Sequence, residues 1–108
     1  MTSHPKPPNH LRTAGRRLWR AVIRTYALEE HHLVILRAGC EAADRLEDAR
    51  AAIEADGLTV PARFGPRSHP AIAIERDSRI ALLRCVRELG LDIEAPGTPR
   101  PPSHWKGR

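Results

Sequence analysis

Between Leu11 and Tyr26, the residues Leu11, Ala14, Leu18, Trp19, Val22, Ile23 and Tyr26 recur at helical spacing and make one broad apolar face. At about 100° per residue, Arg12, Arg16, Arg17, Arg20 and Arg24 fall within an arc of roughly 140° on the opposite side. The pattern predicts a first helix with one apolar and one cationic face. A short link at Ala27 and Leu28 precedes Glu29 and Glu30, acids that favour a helix start through the macrodipole. A second helical pattern then runs to Asp56, where Gly57 supplies a stop. At about 1.5 Å per residue this helix is about 42 Å long, unusual for so short a chain. Within it, Leu28, His32, Ile35, Gly39, Ala42, Leu46, Ala49 and Ile53 alternate spacings of four and three, a heptad seam. Either helix 1 folds back over this seam as an αα-hairpin or part of it faces another subunit, and spacing alone leaves both open.

The periodicity breaks after Gly57. Leu58 to Val60 suits a short strand and Phe64-Gly65-Pro66 a turn, which predicts a small hairpin between helices. Pro70 fits the first position of a third helix, with Ser68 or His69 as its cap. That helix carries Ile74, Ala81, Cys85 and Leu89 on one line and Ile72, Leu83 and Val86 on another, and it ends at Gly90. Its second half is apolar nearly all round, which predicts burial, between subunits if not within one. The expected fold is mainly α: an antiparallel helical hairpin, a third helix, and a small β-hairpin between helices 2 and 3. Prolines set the limits of this domain. Residues 1–9 read as a flexible Pro-rich arm, 10–93 as a helical oligomerisation and DNA-binding domain, and 94–108 as a disordered Pro-rich basic tail.

Composition supports this division. The chain has 108 residues, 41% hydrophobic but 4% aromatic, which suits a small helical domain that gains core by association with itself. Without an apolar run of spanning length or a leader-like N-terminus, it is expected neither to cross a membrane nor to be secreted. Cys40 and Cys85 lie in helical, apolar surroundings and read as buried thiols in a reducing compartment. Net charge is +5, but it is segregated. Residues 1–26 hold six cations and no acid, residues 27–94 hold nine Arg against thirteen acids, and the last fourteen residues hold three cations. A basic head and tail around an acidic middle point to a polyanion or an acidic partner.

Little of the chain suggests catalysis. His31 and His32 point about 100° apart on a helix and do not converge on one metal ion. Glu41, Asp44, Glu47 and Asp48 interleave with Arg37, Arg45 and Arg50, which reads as a solvated charged face. No phosphate-cradling glycine loop is present, and neither cysteine has the histidine pattern of a nucleophile. No enzyme activity, metal or cofactor is expected. The constellation with a plausible role is the arginine arc of helix 1, where Arg12, Arg16, Arg17, Arg20 and Arg24 can neutralise phosphates of double-stranded DNA. Arg63 and Arg67 on the hairpin form a second candidate surface. The competing reading of the arc is a cationic face that balances acidic helix 2.

The run Gly57-Leu58-Thr59-Val60, then Arg63-Phe64-Gly65, then His69-Pro70, followed by Glu75-Arg76-Asp77 and a close at Arg87-Glu88-Leu89-Gly90-Leu91, resembles the small subunit of tailed-phage terminases. The Trp19 helix and the long helix before Gly57 are similar to that family too, so the likeness covers residues 11–92. The resemblance implies a non-catalytic DNA-packaging factor in the cytoplasm of an infected or lysogenic bacterium. Such a factor binds viral genomic DNA as a ring and presents it to the large ATPase and nuclease subunit. It also implies a cyclic homo-oligomer of more than four copies. Interface residues are expected at Ile35, Ala42, Leu46 and Ala49 of helix 2 and at Leu83 and Val86 of helix 3. In the tail, Trp105 with Lys106 and Arg108 is expected to dock on the large subunit or to assist DNA capture. A small helical regulatory DNA-binding protein and a purely structural oligomerisation scaffold are the alternative readings.

Overall fold

A computed structural model describes residues 4–91, so the basic tail and its Trp105, Lys106 and Arg108 lie outside the described residues. Helix α1 spans Thr13–Thr25, α2 spans Glu30–Asp56, and α3 spans Ala71–Leu89. Strands β1, Thr59–Val60, and β2, Arg67–Ser68, pair antiparallel with Thr59 opposite Ser68 and Val60 opposite Arg67. The mainly helical architecture expected from the pattern, with a small hairpin between the second and third helices, is the observed one.

The first helix starts two residues later than its apolar face, for a tertiary reason. Leu11 is buried but non-helical, its N–H donating to Pro8 O at 3.2 Å. The N-terminus of α1 is capped from another helix. Asp44 of α2 is 6% exposed, and its two carboxylate oxygens accept the N–H groups of Arg12 and Gly15, each at 2.7 Å. Asp44 therefore does not belong to the solvated acidic face expected for it. It satisfies donors that every helix start leaves open, and it sits where the macrodipole favours an anion. Gly15 lets it come so close, since a Cβ there would lie 2.7 Å from Asp44 Oδ2 and 2.8 Å from Cys40 O.

Helix α1 lies against the first half of α2 and buries Trp19, Val22 and Ile23 around Leu36 and Cys40, with Leu33, Leu89 and Leu91 packed at the margin. The Pro-rich residues before it are tied to the same helix. Trp19 Nε1 donates to Pro5 O at 3.0 Å, and Arg16 donates from Nη2 to Asn9 O at 2.8 Å and from Nε to Leu11 O at 2.6 Å.

The heptad seam of α2 is covered by α3 of the same chain. Gly39 meets Cys85, whose thiol donates to Ile35 O at 3.3 Å, and Arg50 pairs with Glu75 at 3.5 Å further along. These contacts set α3 antiparallel to α2. Ala42, Leu46 and Ala49, expected at a subunit interface, are buried within the single chain and offer no surface to another copy. Small residues at Ala42, Ala49, Ala71 and Ser78 let the two helices approach closely. The second half of α3, expected to be buried all round, leaves Ile80 and Leu83 exposed because α2 covers only one side.

The end of α2 joins the hairpin and α3 at one residue. His69 is 9% exposed; its Nδ1 accepts the N–H of Ala71 at 2.9 Å, and its Nε2 lies 2.9 Å from Asp56 Oδ2. Because Nδ1 accepts, Nε2 carries the proton and donates to Asp56. The backbone N–H of His69 donates to Leu58 O at 2.9 Å. Pro70, expected at the first helical position, instead takes the N-cap position, and of Ser68 and His69 it is His69 whose side chain accepts an N–H of the first turn.

Cys40 and Cys85 are free and buried. Burial pushes the Cys40 thiol up to about 12, with smaller contributions from Cys85, Asp44 and Glu41, and burial also raises Cys85. Above the ordinary thiol value of 9.0 the unfolded chain loses a Cys40 proton that the folded chain retains until about 12. Folding stability contributed by this proton is therefore complete below that ordinary value and declines as pH rises towards the folded one. In folded protein near neutral pH, iodoacetamide is expected to modify neither thiol, and both in denaturant. Stoichiometric labelling of the folded chain, read by mass, would contradict this packing.

Candidate nucleic-acid interface

The exposed side of α1 carries Arg17, Arg20 and Arg24, three positions that return to one stripe after two turns and span about 10 Å along the axis. None of the three makes an ion pair or hydrogen bond among the described residues. They line an open groove of about 650 Å³ with Arg12, Thr13 and Arg16, and no acid contributes to its walls. The groove is a cationic strip on a rigid helix, backed by the buried face of Trp19, Val22 and Ile23.

The five arginines of the arc are brought together on one side, but they do not have one role. Arg12 forms an ion pair with Asp48 of α2, an exposed contact of the kind that adds little stability. Arg16 is half-buried and spends its guanidinium on the carbonyls of Asn9 and Leu11, which fix the preceding chain. The idea that the arc balances acidic helix 2 thus holds for Arg12. Arg17 stands at the border, where a neighbouring hollow also takes in Asp44, Glu47 and Asp48. Arg20 and Arg24 lie beyond that acidic edge.

At the opposite edge, His10 Nε2 lies 2.7 Å from Glu41 Oε2, and Arg37 reaches the same oxygen at 3.2 Å. The His10 hydrogen bond, helped by Arg37, holds the Glu41 carboxyl below its ordinary value despite some desolvation. His32 receives the Glu29 N–H on Nδ1 at 3.1 Å, so this member of the histidine pair helps start α2.

Arg63 and Arg67 lie apart from the groove, on the hairpin beyond the C-terminus of α2. Both are exposed, and the Arg63 guanidinium carbon sits 5.2 Å from the centre of the Phe64 ring. Of the remaining expected interface residues, Ile35 and Val86 are half-buried and Leu83 is exposed. Sequence reasoning missed two residues that shape the site. Thr13 lines the groove, and Asp44 aims α1. Asp44 had no signal to set it apart, since Glu41, Arg45, Glu47 and Asp48 surround it in the sequence.

A family model described as phage terminase, small subunit, matches residues 14–99. No curated protein and no solved structure matches the chain.

Proposed function

The chain belongs to the phage terminase small-subunit family, and from that premise we propose that it binds viral genomic DNA as a cyclic homo-oligomer of more than four copies and presents it to the large ATPase and nuclease subunit. In this reading it does no chemistry itself and acts in the cytoplasm of the infected or lysogenic host. No helix among the described residues is long and apolar enough to cross a membrane. One observation carries the DNA assignment: among the described residues, Arg17, Arg20 and Arg24 stand without partners in an acid-free groove on a helix whose other face is buried. Phosphates supply the missing counter-charges, and release of condensed cations drives the contact without base readout. Arg12 and Arg16 border the groove while serving structural partners, and Arg63 and Arg67 add a second basic surface. The exposed Ile80 and Leu83 of α3, with half-buried Ile35 and Val86, give a neighbouring copy apolar surface.

Fluorescence anisotropy on duplex DNA across a salt series tests the groove. Each neutralised phosphate contributes a slope of about −0.9 to log K against log salt, so three contacts give about −2.7 per protomer. Replacing Arg17, Arg20 and Arg24 together by Glu is expected to lower affinity on the order of 100-fold and to flatten that slope. These side chains make no polar contact among the described residues, so circular dichroism is expected to be unchanged. Unaltered binding would remove α1 from the interface. In native mass spectrometry the intact chain at micromolar concentration is expected as one closed species, and a monomer would contradict the ring.

A further inference from the structure

The hairpin tip carries a feature that phosphate contacts do not use. Phe64 is 92% exposed, and its ring has a cation on one side and solvent on the other. We infer that Phe64 is an apolar wedge that inserts between adjacent base pairs of duplex DNA, with Arg63 and Arg67 holding the flanking phosphates. The inference rests on the DNA-binding reading above and adds a deformation of the duplex to it.

Three observations favour DNA as the occupant. Charge comes first: residues 57–70 contain two arginines and no acid, a local field suited to a polyanion. The second is presentation. The tip is held by the β1–β2 pairing and by a turn bond from Gly65 N–H to Ala62 O at 3.2 Å, with Pro61 and Pro66 on either side. Phe64 is thereby held out before any partner arrives, and little order has to be gained on binding. The third is size. A stable protein contact takes about 800 Å² from each partner. This tip offers one aromatic ring with Arg63 over it, while exposed Leu58 sits at the hairpin base. A single apolar side chain backed by phosphate contacts is enough to unstack a base step and kink the helix axis. The hairpin also lies past the end of α2, away from the α1 groove, so the two contacts can be removed separately.

The test uses the full chain and its Phe64→Ala and Phe64→Trp variants on duplexes that together contain every dinucleotide step. Anisotropy reads affinity, and permanganate oxidation reads thymines that have lost their stacking. Wild type at saturation is expected to create new reactive thymines. Phe64→Ala is expected to abolish them while weakening binding about tenfold, the weight of one stacking contact, and Phe64→Trp to keep them. If wild type binds without exposing thymines, or Phe64→Ala exposes the same ones, the wedge is wrong and the phosphate-binding groove stands. If wild type fails to bind duplex at all, both fall. If Phe64→Ala leaves the DNA signals intact but changes the oligomer seen by native mass spectrometry, Phe64 belongs to a protein contact and the inference is overturned.

Discussion

Asp44→Ala is expected to destabilise the protein by about 3 kcal/mol and to loosen α1 before the rest of the bundle unfolds. The substitution leaves the Gly15 N–H buried against α2 with no acceptor, and the Arg12 N–H loses the same carboxylate. Hydrogen bonds to a charged group contribute about 1.5–3 kcal/mol each, and an anion at a helix start adds up to about 2 kcal/mol in a partly buried setting. Relief from desolvating the Asp44 carboxylate offsets part of that total. A domain of this kind has about 5–15 kcal/mol to lose, so the fall is a large fraction of its stability. Urea unfolding followed by circular dichroism reads the change in midpoint. Asp48→Ala is the control, because Asp48 pairs with Arg12 in an exposed contact worth no more than about 1 kcal/mol. Equal losses for the two variants would show that Asp44 does not cap α1.

The second large effect runs against helix propensity. Alanine in place of a mid-helix glycine normally stabilises by about 1 kcal/mol, but Gly39→Ala is expected to destabilise by about 3 kcal/mol. A Cβ at this position would lie 2.2 Å from Cys85 Sγ and 2.9 Å from Cys85 Cβ, so α3 would have to retreat from the seam. Cys85 has no room to yield, being buried and hydrogen-bonded to Ile35 O. Trimming the partner relieves the worst overlap. Cys85→Ala alone is expected to cost about 1 kcal/mol, yet in the Gly39→Ala background it should recover part of the loss, a non-additive cycle. Additive losses in thermal or urea unfolding would place the two residues out of contact.

Both variants act on positions whose importance the sequence hides, and the reason is physical. Periodicity reports which side of a helix is apolar, so the three helices, the stop at Gly57 and the His69-Pro70 start were legible. It carries no information about which element covers a face. The seam through Ala42, Leu46 and Ala49 looked equally ready for helix 1 or another copy, whereas it is α3 that meets it, with Cys85 against Gly39. The same limit applies to the groove. Five arginines on one arc are plain in the sequence, but their division into anchored and free depends on the Asp48 carboxylate and on the backbone carbonyls of Asn9 and Leu11, which side-chain periodicity does not report. The exposure of Phe64 was also beyond reach, since a turn containing Phe reads the same whether the ring packs inward or stands out.

The joint at His69 makes the hairpin separable from the bundle. One residue links the last turn of α2 through Asp56, the hairpin through Leu58 and the first turn of α3 through Ala71, so the bundle closes at the hairpin's base. From Leu58 to Ser68 no side chain is buried. The segment is therefore a cassette: a substitution within it, or its replacement by another hairpin, removes no buried contact and leaves the helices in register.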